Sequence, residues 1–216
     1  MASGVSTAIW GPPLWRILHT LSFASPQQLR DAAATVIQFL TNLAHILPCK
    51  WCRESYTLIL DELPNLNTTI ASGQLAKWMY QLHARVNNKL GVTTPKYTSI
   101  EKRFIVRPVQ WSPSDVWDTI SLFGLNFTPA KREMYRIFWD SWPTILRLGE
   151  GGDPRVPDLL AATPCPCVDG AFIATCLVLE AAHRHHPPPT PDAVHARVTR
   201  YATARASGGC RSGVCE

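Results

Sequence analysis

Cys49-Lys50-Trp51-Cys52 constrains this 216-residue chain more than any other feature, because of what flanks it. Two cysteines three apart on a helix are close enough to form a disulfide, and Pro48 just before them suits a helix opening. The preceding segment carries Leu29, Ala33, Val36, Ile37, Leu40 and Leu43 with helical spacing. A thioredoxin-like arrangement is therefore disfavoured, since that fold sets its CxxC after a β-strand. Backbone amides and the helix dipole favour a thiolate at a helix N-terminus, and Lys50 and Arg53 add positive charge. A lowered thiol pKa is expected. From the pair alone, redox chemistry and structural zinc are equal readings.

The rest of the first hundred residues reads as helices too. Pro12 and Pro13 fit a helix start, followed by Leu14, Trp15, Ile17, Leu18 and Leu21 on one face. A second helix begins after Ser25-Pro26, a third runs from Pro48 to about residue 60, and a fourth covers about residues 74–90 and stops at Gly91. Residues 61–73 read as a loop. This pattern predicts a compact antiparallel four-helix bundle. Residues 92–112 read as a polar connector with an extended piece at Phe104-Ile105-Val106. Beyond it, helices are expected over 114–123, 129–148 with a break or kink at Pro143, 168–183 and 192–206. The Gly- and Pro-rich stretch 149–166 reads as a linker or long loop. The organisation is thus all-α: a core over 1–100, a second helical domain over 101–206, and a Gly-rich tail over 207–216.

Composition narrows the function classes. With 46% hydrophobic and 17% charged residues the chain can bury a core, which argues against a disordered regulator. No apolar run approaches the roughly 18 residues of a membrane span. The start, Met1-Ala-Ser-Gly-Val-Ser, lacks the pattern of a cleaved signal, so a soluble cytosolic protein is expected. Residues 1–100 carry 8 Lys+Arg against 4 Asp+Glu, an excess that suits an anionic ligand but is too thin for nucleic acid. Six of the seven cysteines form close pairs: Cys49/Cys52, Cys165/Cys167 and Cys210/Cys215. Close pairs in a cytosolic chain point to redox or metal chemistry rather than to a secreted disulfide framework.

The fourth helix supplies context for the CxxC. His83 and Asn87 are four apart and share a face with Val86 and Leu90. Trp15 and His19 repeat the aromatic-plus-histidine pairing on the first helix. Two such faces beside a CxxC can cradle a planar heteroaromatic cofactor, with Arg85 or Lys89 near its phosphates. A flavin meets these demands.

Three segments, Trp10-Gly-Pro-Pro-Leu-Trp15-Arg-Ile-Leu-His19-Thr, Leu47-Pro-Cys-Lys-Trp-Cys52 and Leu82-His-Ala-Arg-Val-Asn-Asn-Lys-Leu-Gly91, resemble in order and spacing the FAD-linked sulfhydryl oxidases of the Erv/ALR family. The likeness covers roughly residues 8–92. It implies a helical bundle that binds FAD noncovalently, with the CxxC against the isoalloxazine. Gly11, Trp15, His19 and Tyr56 would line the flavin ring. Trp78, His83, Asn87 and Lys89 would hold the adenine, ribose and pyrophosphate. Cys52 would stand next to the flavin, and Cys49 would exchange with incoming thiols. The resemblance also implies a homodimer through the first two helices, protein dithiol substrates or a downstream disulfide carrier, and molecular oxygen as acceptor, giving hydrogen peroxide. Cellular members often carry a further disulfide on the fourth helix. Tyr80 takes that helix position, and residues 95–99 hold no cysteine. The extension with Trp111, Trp117, Trp139 and Trp142 resembles large DNA virus homologues, which implies a viral protein of the host cytoplasm and virion.

Against that background, Cys210-Arg-Ser-Gly-Val-Cys215 resembles the shuttle disulfide of several family members. Cys165-Pro-Cys167 is a second shuttle candidate or a structural pair. Cys176, among Ile173, Ala174, Leu177 and Val178, is expected to pack as a small apolar side chain. A zinc site from His183, His185, His186, Cys210 and Cys215 fits less well than a solvated loop, so no metal is expected. The rival to the oxidase is a non-catalytic helical interaction protein with structural zinc-binding cysteines.

Overall fold

The computed structural model describes residues 5–107, 110–148, 152–168 and 171–207. Among them every regular element is helical and none is a strand, the all-α class expected. Cys210 and Cys215 lie outside the described residues.

Helix α1 (Thr7–Ser22) starts one turn before the two prolines, where the Ser6 side chain accepts the Ala8 N–H. Pro12 and Pro13 therefore sit inside the helix. The carbonyls they cannot pair belong to Ala8 and Ile9, which are exposed, so water can replace the lost bonds. The expected second helix is two: α2 (Pro26–Asp31), opened by a Ser25/Gln28 capping box, and α3 (Ala33–Ile46). The break at Ala32 lets α2 pack on α5 (Leu66–Ala71), a short helix inside the expected loop, while α3 enters the core. Helix α4 (Lys50–Glu62) carries the CxxC at its start, and α6 (Leu75–Lys89) ends before Gly91, whose φ of +67° suits glycine.

The expected extended piece is the end of a helix, α7 (Tyr97–Val106). Helical spacing puts Ile100, Arg103 and Phe104 on one side, and Phe104 stacks on Phe23 with ring centroids 4.3 Å apart. That burial overrides the β preference of Ile105 and Val106. Further on come α8 (Pro113–Gly124), α9 (Arg132–Arg147), α10 (Arg155–Ala161), α11 (Ala171–His183) and α12 (Pro191–Ser207). Helix α9 runs unbroken through Pro143, because Trp139 and Trp142 before it and Ile145 and Leu146 after it are all buried. Four such side chains contribute more than the roughly 3 kcal/mol that an interior proline costs. Helix α10 occupies the expected linker, pinned to α9 by buried Val156, Pro157 and Leu160.

The extension is joined to the first hundred residues by a shared core. Helix α8 packs on α1 and α9 on α3, and buried apolar residues of both halves, from Val5 to Tyr201, share one cluster, with Phe104 outside it. Gly124 marks the closest approach of α8 and α11: a Cβ there would stand 2.3 Å from Phe172 Cβ.

Candidate active site

A cavity of about 770 Å³ opens between α1, α4, α6, α7 and the connector around Thr94. That size falls within the roughly 300–1,000 Å³ range of small-molecule and cofactor sites. Of the expected site residues, Gly11, Trp15, His19, Cys52, Tyr56, His83, Asn87 and Lys89 line it. Helix α1 continues past Pro12 and Pro13, and the i,i+4 spacing of Gly11, Trp15 and His19 sets all three on its cavity side. The i,i+4 spacing of His83 and Asn87 turns both inward from α6.

The aromatic wall is continuous. Trp15 stacks on His83 with ring centroids 3.7 Å apart and 5° between planes. His19 Nε2 meets His83 Nδ1 at 2.8 Å. Burial, together with the field of His83, pushes His19 down to about 4, and burial alone pushes His83 down to about 4. Both rings are neutral at pH 7. His19 Nδ1 is buried with no hydrogen-bond partner among the described residues. A Cβ at Gly11 would meet nothing within 4 Å. Asn87 Nδ2 donates to Thr94 Oγ1 at 3.3 Å, and Tyr56 is buried with its hydroxyl donating to the Leu40 carbonyl at 2.9 Å. Burial raises the Tyr56 phenol. Lys89 reaches across to the Ser55 hydroxyl on α4.

Cys49 is the N-cap of α4, its sulfur accepting the Cys52 N–H at 3.3 Å. Cys49 is fully buried and off the cavity wall, whereas half-buried Cys52 lines it. The lowered pKa expected for the motif is not what Cys52 has. Its hydrogen bond with Cys49 raises it most, then burial and repulsion from Cys49, while Lys89 and Arg53 pull it back. Proximity of the two sulfurs outweighs the helix terminus.

Two expected residues are elsewhere. Trp78 lies five positions before His83, about 140° around the helix. It is buried between α5 and α6, its indole donating to the Pro64 carbonyl at 2.9 Å. Arg85, the alternative to Lys89, pairs with Glu62 at 3.2 Å outside the cavity. Away from the cavity, Cys165 and Cys167 are disulfide-bonded, with the Cys165 sulfur 3.8 Å from the Tyr135 carbonyl oxygen on α9. Cys176 is buried as expected, which pushes its thiol up to about 12. Among the described residues no group of three or more His, Cys, Asp or Glu could hold a metal ion. No described helix is long and apolar enough to cross a membrane.

The sequence reading missed Arg16 and Arg103, which line the cavity with Lys89. Arg16, three residues before His19, carried a usable signal in its helical spacing. Arg103 was hidden because residues 92–112 read as a connector, where α7 runs from Tyr97 to Val106. The residues fit a flavin nucleotide: a largely apolar cavity lined by stacked rings, three cations and one cysteine of the dithiol pair.

The all-α fold thus brings stacked rings, three cations and one cysteine of a CxxC pair to one cavity. Residues 12–105, a little under half of the chain, match the Erv1 / Alr family. The chain is also similar to the mitochondrial FAD-linked sulfhydryl oxidase ERV1 of Saccharomyces cerevisiae, 32% identical over 81 residues, 37% of this chain and 42% of that protein. It thus spans less than half the length of that relative. No solved structure gives a significant match.

Proposed function

We propose that this chain is an FAD-dependent thiol oxidase that forms disulfide bonds in protein substrates. The observation that carries this reading is Cys52 among the residues lining the Trp15–His19–His83 cavity. Gly11, Trp15, His19 and Tyr56 would hold the flavin ring, and His83, Asn87 and Lys89 the nucleotide. FAD supplies, when bound, a two-electron acceptor for the dithiol and a route to molecular oxygen that yields hydrogen peroxide.

The chain's own part is thiol exchange and orientation. A substrate thiolate attacks the Cys49 sulfur of a Cys49–Cys52 disulfide, giving a mixed disulfide and releasing Cys52. The second substrate thiolate then attacks the substrate sulfur of that mixed disulfide. The substrate leaves as a disulfide, and Cys49 and Cys52 are left reduced. Lys89 and Arg53 favour negative charge on Cys52. Neutral His19 and His83 keep cationic repulsion out of the aromatic wall. The Pro48 carbonyl, next to Cys49, accepts from Val5 N–H at 3.1 Å and Asn126 Nδ2 at 3.3 Å, so exchange at buried Cys49 requires this flank to open.

Cys210–Cys215 would act as the shuttle that carries electrons from substrate to Cys49, supported by its Gly-rich setting. The resemblance alone supports a homodimer, protein dithiol clients or a downstream carrier, a large DNA virus source and work in the cytoplasm. Thiol-dependent oxygen uptake by the full chain tests the reading. Cys52→Ser is expected to abolish uptake while FAD stays bound; unchanged uptake would reject the role given to Cys52.

A further inference from the structure

The cavity is tied to a helix outside the segment matched by the family. Arg16 lines it from α1, and its side chain is 43% exposed. Its Nε donates to Asp115 Oδ1 on α8 at 3.0 Å, and one terminal nitrogen bonds the same oxygen. The Asp115 side chain is 6% exposed. Its other oxygen accepts the Ser112 N–H and hydroxyl, each at 2.8 Å, which also caps α8. Both carboxylate oxygens are engaged, so Asp115 is a fixed post.

A guanidinium has five N–H donors in a rigid fork, and one oxygen of Asp115 takes only part of it. Among the described residues lining the cavity, Arg16, Lys89 and Arg103 are cationic and none is Asp or Glu. Lys89 is bonded to neutral oxygens of Ser55 and Trp51. A largely apolar pocket with three cations on its wall and no anion is built for a ligand that brings negative charge.

We infer that Arg16 binds the phosphate portion of the cavity's ligand, and that Asp115 is the positioning residue that holds Arg16 for it. The extension is then a working part of the cofactor site. This rests on the flavin reading.

The test is equilibrium binding of FAD and of riboflavin, which lacks the phosphates, to the flavin-free full chain. Arg16→Ala should weaken FAD binding roughly tenfold or more, as loss of a charge-assisted contact does, and leave riboflavin within about twofold. Arg16→Lys, which keeps the charge without the fork, should fall between. Asp115→Asn keeps an oxygen for the α8 cap. It should weaken FAD severalfold, spare riboflavin and make FAD binding more sensitive to salt. Equal losses for both ligands, or none, would overturn the inference and leave Arg16–Asp115 as a tie between helices. If the wild-type chain binds neither flavin, the flavin reading itself fails; if it binds FAD and Arg16→Ala binds it as tightly, only this inference does.

Discussion

Around Trp142, the rings of Phe39, Phe138 and Trp142 lie 5.3–5.9 Å apart at the junction of α3 and α9, and all three are fully buried. Around Trp15, rings just as close line a cavity of about 770 Å³. One region uses aromatics as filling, the other as walls. Filling contributes dispersion and burial on every side of a ring. A wall gives up contacts on one side, which a ligand can restore.

If that contrast is right, the same substitution has different consequences in the two places. Trp142→Ala should cost about 3–5 kcal/mol, a fall in melting temperature on the order of 10 °C by calorimetry, with flavin affinity little changed in the folded fraction. Trp15→Ala, at a partly exposed ring on the cavity, should weaken FAD binding about tenfold and lower the melting temperature by only a few degrees. Comparable melting losses from the two would erase the distinction.

Acid sharpens the comparison. His19 and His83 have pKa values of about 4 in the folded chain, below the roughly 6.5 of an unfolded chain. The unfolded state takes up protons first, so their contribution is complete above about pH 6.5 and is lost as pH falls towards 4. Melting curves should drop by a few degrees across that window, and His83→Phe should flatten the dependence. The smallest effect belongs to the surface: Glu62→Gln, which breaks the exposed pair with Arg85, should change stability by less than about 1 kcal/mol and leave FAD affinity unaltered.

The helices of the first half were legible because their apolar periodicity is strong and their ends are marked by Pro, Ser and Gly. Pro143 misled because local chemistry says break, and only the four buried neighbours on α9 overrule it. The end of α7 misled for the same reason, its β-branched residues being outweighed by the stacking of Phe104 on Phe23. Most cavity residues were readable as i,i+4 pairs on two helices. Trp78 was not, since sharing a helix with His83 does not mean sharing a face. The Arg16–Asp115 contact joins residues 99 apart in the chain. No local pattern announces such a pairing, although the Ser112/Asp115 capping box itself was within reach of the sequence.

The central claim is that a dithiol and a bound flavin share this cavity. An absorbance spectrum of the purified full chain, taken before and after dithiothreitol under nitrogen, tests it most directly. We predict flavin bands that bleach with the reductant in the wild-type protein and persist in Cys52→Ser. A colourless protein that gains no flavin band when FAD is added, or flavin bands that dithiothreitol bleaches equally well in Cys52→Ser, would contradict it.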